Sequence, residues 1–196
     1  PGITRADKAW LEGVRGAGQA VAIIDSGVDT AHPFFAGKII AEACFSTAAG
    51  GANTSYCPNP DPPDAQYSGT HQIGPGAGIN CPDLGLSCWH GTHVAGIAAG
   101  KTGVLSGSAG GMAPDANIIP IQVFQRDCSS SNCMILAFES DLVSALEYVY
   151  SLLGTYNIAS VNMSLGGGLY TATCDSDAPA MASVIGSLRS AGIATV

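Results

Sequence analysis

Two short apolar runs constrain this chain more than any other feature: Ala20 to Ile24 and Asn117 to Phe124. Each is too short for an ordinary helix. Each is also rich in β-branched residues and does not alternate with polar ones. Such runs read as strands buried on both faces, the signature of a parallel sheet covered by helices. Lys38 to Phe45 and Ile158 to Met163 read as further strands, and Ile193 to Val196 begins another. Helical patterns lie between them. A short one falls in Ile3 to Arg15, around Ala6, Ala9, Trp10 and Leu11, and a small-residue one runs from Val94 to Ala99. A longer one is capped by Ser140 and runs through Leu152, with Leu142, Leu146 and Val149 at helical spacing. The last runs from Met181 to Ala191 and is closed by Gly192. Strand and helix in alternation predict an α/β fold, a parallel sheet flanked by helices and joined by right-handed crossovers. No repeat or linker divides residues 1–196.

Open sheets of this kind carry their sites at the carboxyl ends of the strands. Asp25 closes the first run, followed by the turn Ser26-Gly27. Taken alone it is as readily a turn residue as a functional one. Trp89-His90-Gly91-Thr92-His93-Val94-Ala95-Gly96 gives it a partner. His90 stands at the mouth of a small-residue helix, near the positive end of the helix dipole. Imidazole is the usual general base near neutral pH, and a buried carboxylate fixes its tautomer.

Ile24-Asp25-Ser26-Gly27-Val28-Asp29 with His32-Pro33 resembles the catalytic-Asp motif of subtilisin-like serine peptidases. His90-Gly91-Thr92-His93-Val94-Ala95-Gly96 resembles their catalytic-His motif, and Val161-Asn162-Met163-Ser164-Leu165-Gly166-Gly167 their substrate-binding strand. The three stand in the family's order, and the resemblance runs from about Ile3 to Val196. It implies a subtilisin-like three-layer architecture of which this chain is the N-terminal part, with an insertion at about 46–87. It implies a serine endopeptidase in which Asp25 orients His90 and His90 takes the proton of a serine nucleophile. Ser164, Leu165, Gly166 and Gly167 would pair with an extended polypeptide substrate, the glycines leaving room for its side chains.

The family's nucleophile motif, Gly-Thr-Ser-Met-Ala, is absent. Ala180-Met181-Ala182 lacks the preceding Gly-Thr-Ser, and neither Ser176 nor Ser183 is assigned the role. Asn162 is not the family's oxyanion Asn, which falls beyond a strand like Ile193 to Val196. The resemblance therefore makes the C-terminal remainder of the domain a required partner, and the chain alone inactive. A non-catalytic binding module or pseudoprotease is the competing class, and the intact Asp25 and His90 speak against it. Phe34 stands where many members have a calcium-binding Asp, so no metal is expected there, and no cofactor is implied. Trp89 replaces a small residue and is expected to alter the cleft beside His90.

The net charge of −8 argues against nucleic acid and anionic membranes as partners. No apolar run approaches the roughly 18 residues of a membrane span. The chain starts at Pro1 and reads at once as mature enzyme, with no targeting or pro-segment. Seven cysteines without a Cys-x-x-Cys pair suit disulfides in a secreted protein. Cys128 and Cys133 bracket a small loop, which by the resemblance borders the substrate cleft. Cys81 with Cys88 is a second pair, and Cys174 is expected to pair beyond Val196. Cys81, Cys88, His90 and His93 crowd together but match no zinc spacing. Gly16 and Gly18 precede a strand where a dinucleotide fingerprint would follow one. Ser46 to Ser87 reads as a long polar loop with six prolines, and His71 as an exposed loop residue. Asp29 reads as a turn or capping group and His93 as a structural residue in its helix's first turn.

Overall fold

The computed structural model describes residues 3–48, 51–58, 69–83, 85, 87–104, 110–168 and 171–196. Among the described residues four α-helices and nine strands follow the order α1 (Ala6–Leu11), β1 (Ala20–Asp25), β2 (Ala43–Thr47), β3 (Asn53–Ser55), β4 (Gly69–Ile73), α2 (His90–Ala99), β5 (Asn117–Gln122), β6 (Gln125–Asp127), β7 (Met134–Leu136), α3 (Glu139–Ser151), β8 (Ile158–Asn162), α4 (Pro179–Ser190) and β9 (Ala194–Thr195). Six strands make the main sheet, in the order β4-β2-β5-β1-β8-β9. All its pairings are parallel except that of β4 with β2. The chain adds β2 and β5 on one side of β1, then β8 and β9 on the other. β1 therefore lies where the strand order reverses, and its carboxyl end opens on the crevice such sheets use for ligands.

β1 shows why the runs are continuous. Ala20, Ala22 and Ile24 pack into the core shared with α3 and α4. Ile23 points the other way, into a second core with Ala95 and Ala99 of α2, Ile118 and Phe35. Both faces are dry, so a polar residue at any of these positions would be buried. Each buried Ile contributes about 1.5–3 kcal/mol.

Several sequence expectations shift. The strand placed at Lys38 to Phe45 is Ala43–Thr47. Ile39 makes only an isolated bridge, to Ile118. Four residue steps separate Ile39 from Ala43, against three between their partners Ile118 and Ile121, so one extra residue interrupts the ladder there. Lys38 is buried, and its Nζ donates to the Pro114 carbonyl at 2.5 Å. Ser140 does not cap α3. The helix starts at Glu139 with Phe138 at its N-cap and no side-chain cap, and Glu139 and Asp141 place negative charge on its positive end. α2 begins at His90, not Val94. His71 lies in β4 rather than a loop, its exposed ring edge-on to Phe45 at 4.9 Å. Asp29 is a turn residue whose Oδ1 accepts the Ala31 N–H at 3.1 Å.

The described parts of 46–87 are tied down. β3 joins β6 and β7 in a small antiparallel sheet, and Cys57 is bonded to Cys44 of β2. The sequence reading missed that bond. Cys81–Cys88 and Cys128–Cys133 are also disulfides, and the second closes the β6–β7 hairpin. Neither Cys81 nor Cys88 is therefore available as a zinc thiolate. Among the described residues Cys174 is the free cysteine, half-buried. No helix among them is long and apolar enough to cross a membrane.

Candidate active site

Asp25 ends β1 completely buried, and His90 opens α2 above it. His90 Nδ1 lies 2.9 Å from Oδ1 and 2.9 Å from Oδ2 of Asp25. The carboxylate is held from the backbone as well, since Oδ1 accepts the Ser26 N–H at 2.7 Å. With a carboxylate at Nδ1, the imidazole carries its proton there and presents Nε2 as the basic atom. The imidazole is 39% exposed while the Asp25 side chain is 1% exposed, so the acid is sealed and the base is reachable. Among the described residues nothing is hydrogen-bonded to Nε2.

The local sequence explains the approach. Gly27 takes φ +78°, and a Cβ there would meet the Ile79 carbonyl oxygen at 2.1 Å. Gly91 lets the helix start touch the Asp25–Gly27 turn. Thr92 completes the contact, its Oγ1 accepting the Asp29 N–H at 2.8 Å. His93 is exposed in the first turn of α2, edge-on to Trp89 with ring centroids 6.2 Å apart.

Asp25 and His90 line a cleft of about 440 Å³. Ser164, Leu165, Gly166 and Gly167 line it too, as do Ile135, Leu136, Phe124 and Leu142. The structure thus brings all six residues singled out in the sequence to one cavity. Ser164 to Gly167 lie past the end of β8 rather than in a strand. Leu165 N–H donates to the Met163 carbonyl at 2.7 Å, and the Ser164 hydroxyl to Asn162 Oδ1 at 2.9 Å. Gly166 and Gly167 have no backbone hydrogen-bond partner among the described residues. β7, which supplies Ile135 and Leu136, is an edge strand of its sheet. Sequence reading did not find this wall, because Met134–Leu136 is too short to carry a pattern. Trp89 does not line the cleft; its half-exposed ring is centred 6.4 Å from that of His90.

The profile described as the subtilase family matches residues 16–193. The chain belongs to the subtilase family. It is 30% identical over 175 residues to the thermophilic serine proteinase of Bacillus sp. (strain AK1), covering 89% of this chain and 33% of that protein. It is 33% identical over 166 residues to the extracellular protease of Xanthomonas campestris pv. campestris, covering 82% and 26%. A solved structure titled as proteases from Pseudoalteromonas arctica PAMC 21717 superposes with a TM-score of 0.62 at 20% identity, over 98% of this subtilase chain and 52% of that one. At that identity the superposition speaks for the fold, which is the subtilisin-like α/β architecture. The chain spans about a third of the Bacillus relative and about half of the solved structure.

Proposed function

We infer that the whole protein is a serine endopeptidase in which this chain supplies two members of an Asp-His-Ser triad. One observation carries the reading: Nδ1 of His90 sits 2.9 Å from both oxygens of a fully buried Asp25, on the wall of a cleft. Asp25 orients the imidazole and stabilises the imidazolium. His90 Nε2 takes the proton of a serine hydroxyl as that oxygen attacks the scissile carbonyl, then gives it to the leaving amine. The nucleophile belongs to a Gly-Thr-Ser motif that residues 1–196 do not contain. On this reading these residues alone are inactive, and the rest of the domain covers the open edge at β9.

The substrate is an extended polypeptide. Ser164 to Gly167 and the edge strand β7 offer backbone groups to a chain lying between them, and alternate substrate side chains enter the apolar cleft. The bare backbone at Gly166 and Gly167 supports this role, because among the described residues, chain neighbours aside, no atom lies within 4 Å of a Cβ on either. Packing within this chain does not demand glycine there. A passing substrate would.

Secretion fits three disulfides. It also fits the extracellular Xanthomonas relative, whereas a Bacillus subtilis relative is named as intracellular. The test is covalent labelling of the whole protein with a serine-directed fluorophosphonate. Labelling that His90→Ala abolishes is the expected result. No labelling of the wild-type protein, or labelling indifferent to His90, would overturn the reading and favour a binding module.

A further inference from the structure

Ser26 joins Asp25 to two segments distant in sequence. Its N–H donates to Asp25 Oδ1 at 2.7 Å, its hydroxyl donates to the Cys88 carbonyl at 3.3 Å, and that hydroxyl accepts the Gly91 N–H at 3.0 Å. Its carbonyl accepts the Cys81 N–H at 3.1 Å. The docking continues beyond Ser26: Val28 N–H donates to Gly78 at 2.9 Å, and Asn80 N–H to Val28 at 3.2 Å. Residues 78–81 are thus laid along the turn that follows Asp25.

Cys81 is bonded to Cys88, with Cα atoms 5.1 Å apart. The pair is 1% and 0% exposed. Cys88 stands two residues before His90. A closed ring results, running from Asp25 through Ser26 to Cys81, across the disulfide to Cys88, on to His90 and back to Asp25 through Nδ1. Ser87, inside the disulfide loop, holds φ +68°, unusual for a residue with a Cβ. Its carbonyl accepts the His90 N–H at 2.9 Å, which turns the chain into α2. Such a conformation persists only where the surroundings fix it, and the covalent bond at the next residue does so.

We propose that the Cys81–Cys88 disulfide is a positioning element for His90, fixing the entry to α2 so that Nδ1 meets the Asp25 carboxylate. It acts through His90 and touches neither substrate nor reacting atoms. The proposal rests on the reading of Asp25 and His90 as a peptidase pair. Cys44–Cys57 supplies the contrast, being a buried disulfide that joins β2 to the segment after β3 and forms no part of this ring.

The test uses the whole protein and compares Cys81→Ala/Cys88→Ala with Cys44→Ala/Cys57→Ala. The readouts are kcat and KM on an extended peptide, and the proton resonance of His90 Nδ1–H. The first variant is expected to lose about tenfold to a hundredfold in kcat, as for a misplacement near 1 Å, with KM within about twofold. Its Nδ1–H resonance is expected to broaden by exchange with water. The second is expected to lower the melting temperature while kcat and the resonance hold. If the first variant does not fold, Cys81→Val/Cys88→Ala restores buried volume and faces the same readouts. Wild-type kcat and an unmoved resonance in a folded Cys81/Cys88 variant would overturn the proposal, as would equal kcat losses for the two disulfides. A wild-type protein without peptidase activity would contradict the proposed function instead, and the His90 resonance would still decide the positioning role.

Discussion

A Cβ on Gly91 would lie 2.2 Å from the carbonyl oxygen of Gly27 and 3.1 Å from Cβ of Asp25. The helix carrying His90 is therefore seated directly on the turn after the buried acid. The partner atom is backbone, so it cannot swing aside. Gly91→Ala must push α2 away from Asp25, at a cost of roughly 1–3 kcal/mol for over-packing. The expected outcome in the whole protein is a melting temperature lower by several degrees. A kcat loss of about a hundredfold should accompany it, because the base no longer meets its carboxylate. Thermal denaturation and steady-state kinetics check both.

Gly166 tests the substrate side of the cleft without disturbing the fold. Among the described residues, chain neighbours aside, nothing lies within 4 Å of a Cβ there, and its φ is not positive. Gly166→Val should leave the melting temperature within about 2 °C, as for surface substitutions. It should raise KM for an extended peptide at least tenfold, because the new side chain stands where substrate passes. A KM unchanged within twofold would remove this segment from the binding site.

Much of this was legible in the sequence, for a physical reason. β1 and β5 are buried on both faces, so their composition alone marks them, and Asp25 stands out where β1 ends; β8 is buried only at Ile158 and Val161, with Ala159 exposed. His90 and its glycine are readable because Gly91 answers to one steric demand. β2 was displaced because Lys38 and Ile39 look like strand residues yet precede an extra residue that breaks the ladder before Ala43. Ser140 resembled a cap because hydroxyls favour that position, but the helix begins one residue earlier on acidic side chains. β3, β6 and β7 are three residues each, below the length at which alternation shows. The Cys44–Cys57 bond had no local signal, since it depends on β2 bringing the segment after β3 alongside. The neighbouring pairs, Cys81 with Cys88 and Cys128 with Cys133, close short loops and so could be read.

Asp141 gives the fold a pH dependence separate from the active site. It is 1% exposed, and its carboxylate accepts the Thr47 N–H at 2.8 Å and the Thr47 hydroxyl at 2.7 Å. Burial raises its pKa above 3.8, against the opposing pull of the Thr47 bonds and of His71. A folded-state pKa above the unfolded one means that the folded protein binds this proton more tightly. The stability it contributes is full below the unfolded pKa and is lost as pH rises through the folded one. Asp141→Asn removes that titration. The melting temperature of the wild type relative to the variant should therefore fall as pH climbs from below 3.8 through the raised value. Paired melting curves across the acid range check it, and a difference that grows with pH would contradict it.

The Asp25–His90 pair is tested most directly by kcat/KM of the whole protein on an extended peptide, wild type against His90→Ala, with folding of both verified by melting curves. If His90 is the general base that the 2.9 Å contacts to Asp25 orient, kcat should fall by about 10⁴-fold or more, with KM little changed. A folded His90→Ala protein that keeps kcat within about threefold of wild type would contradict the account.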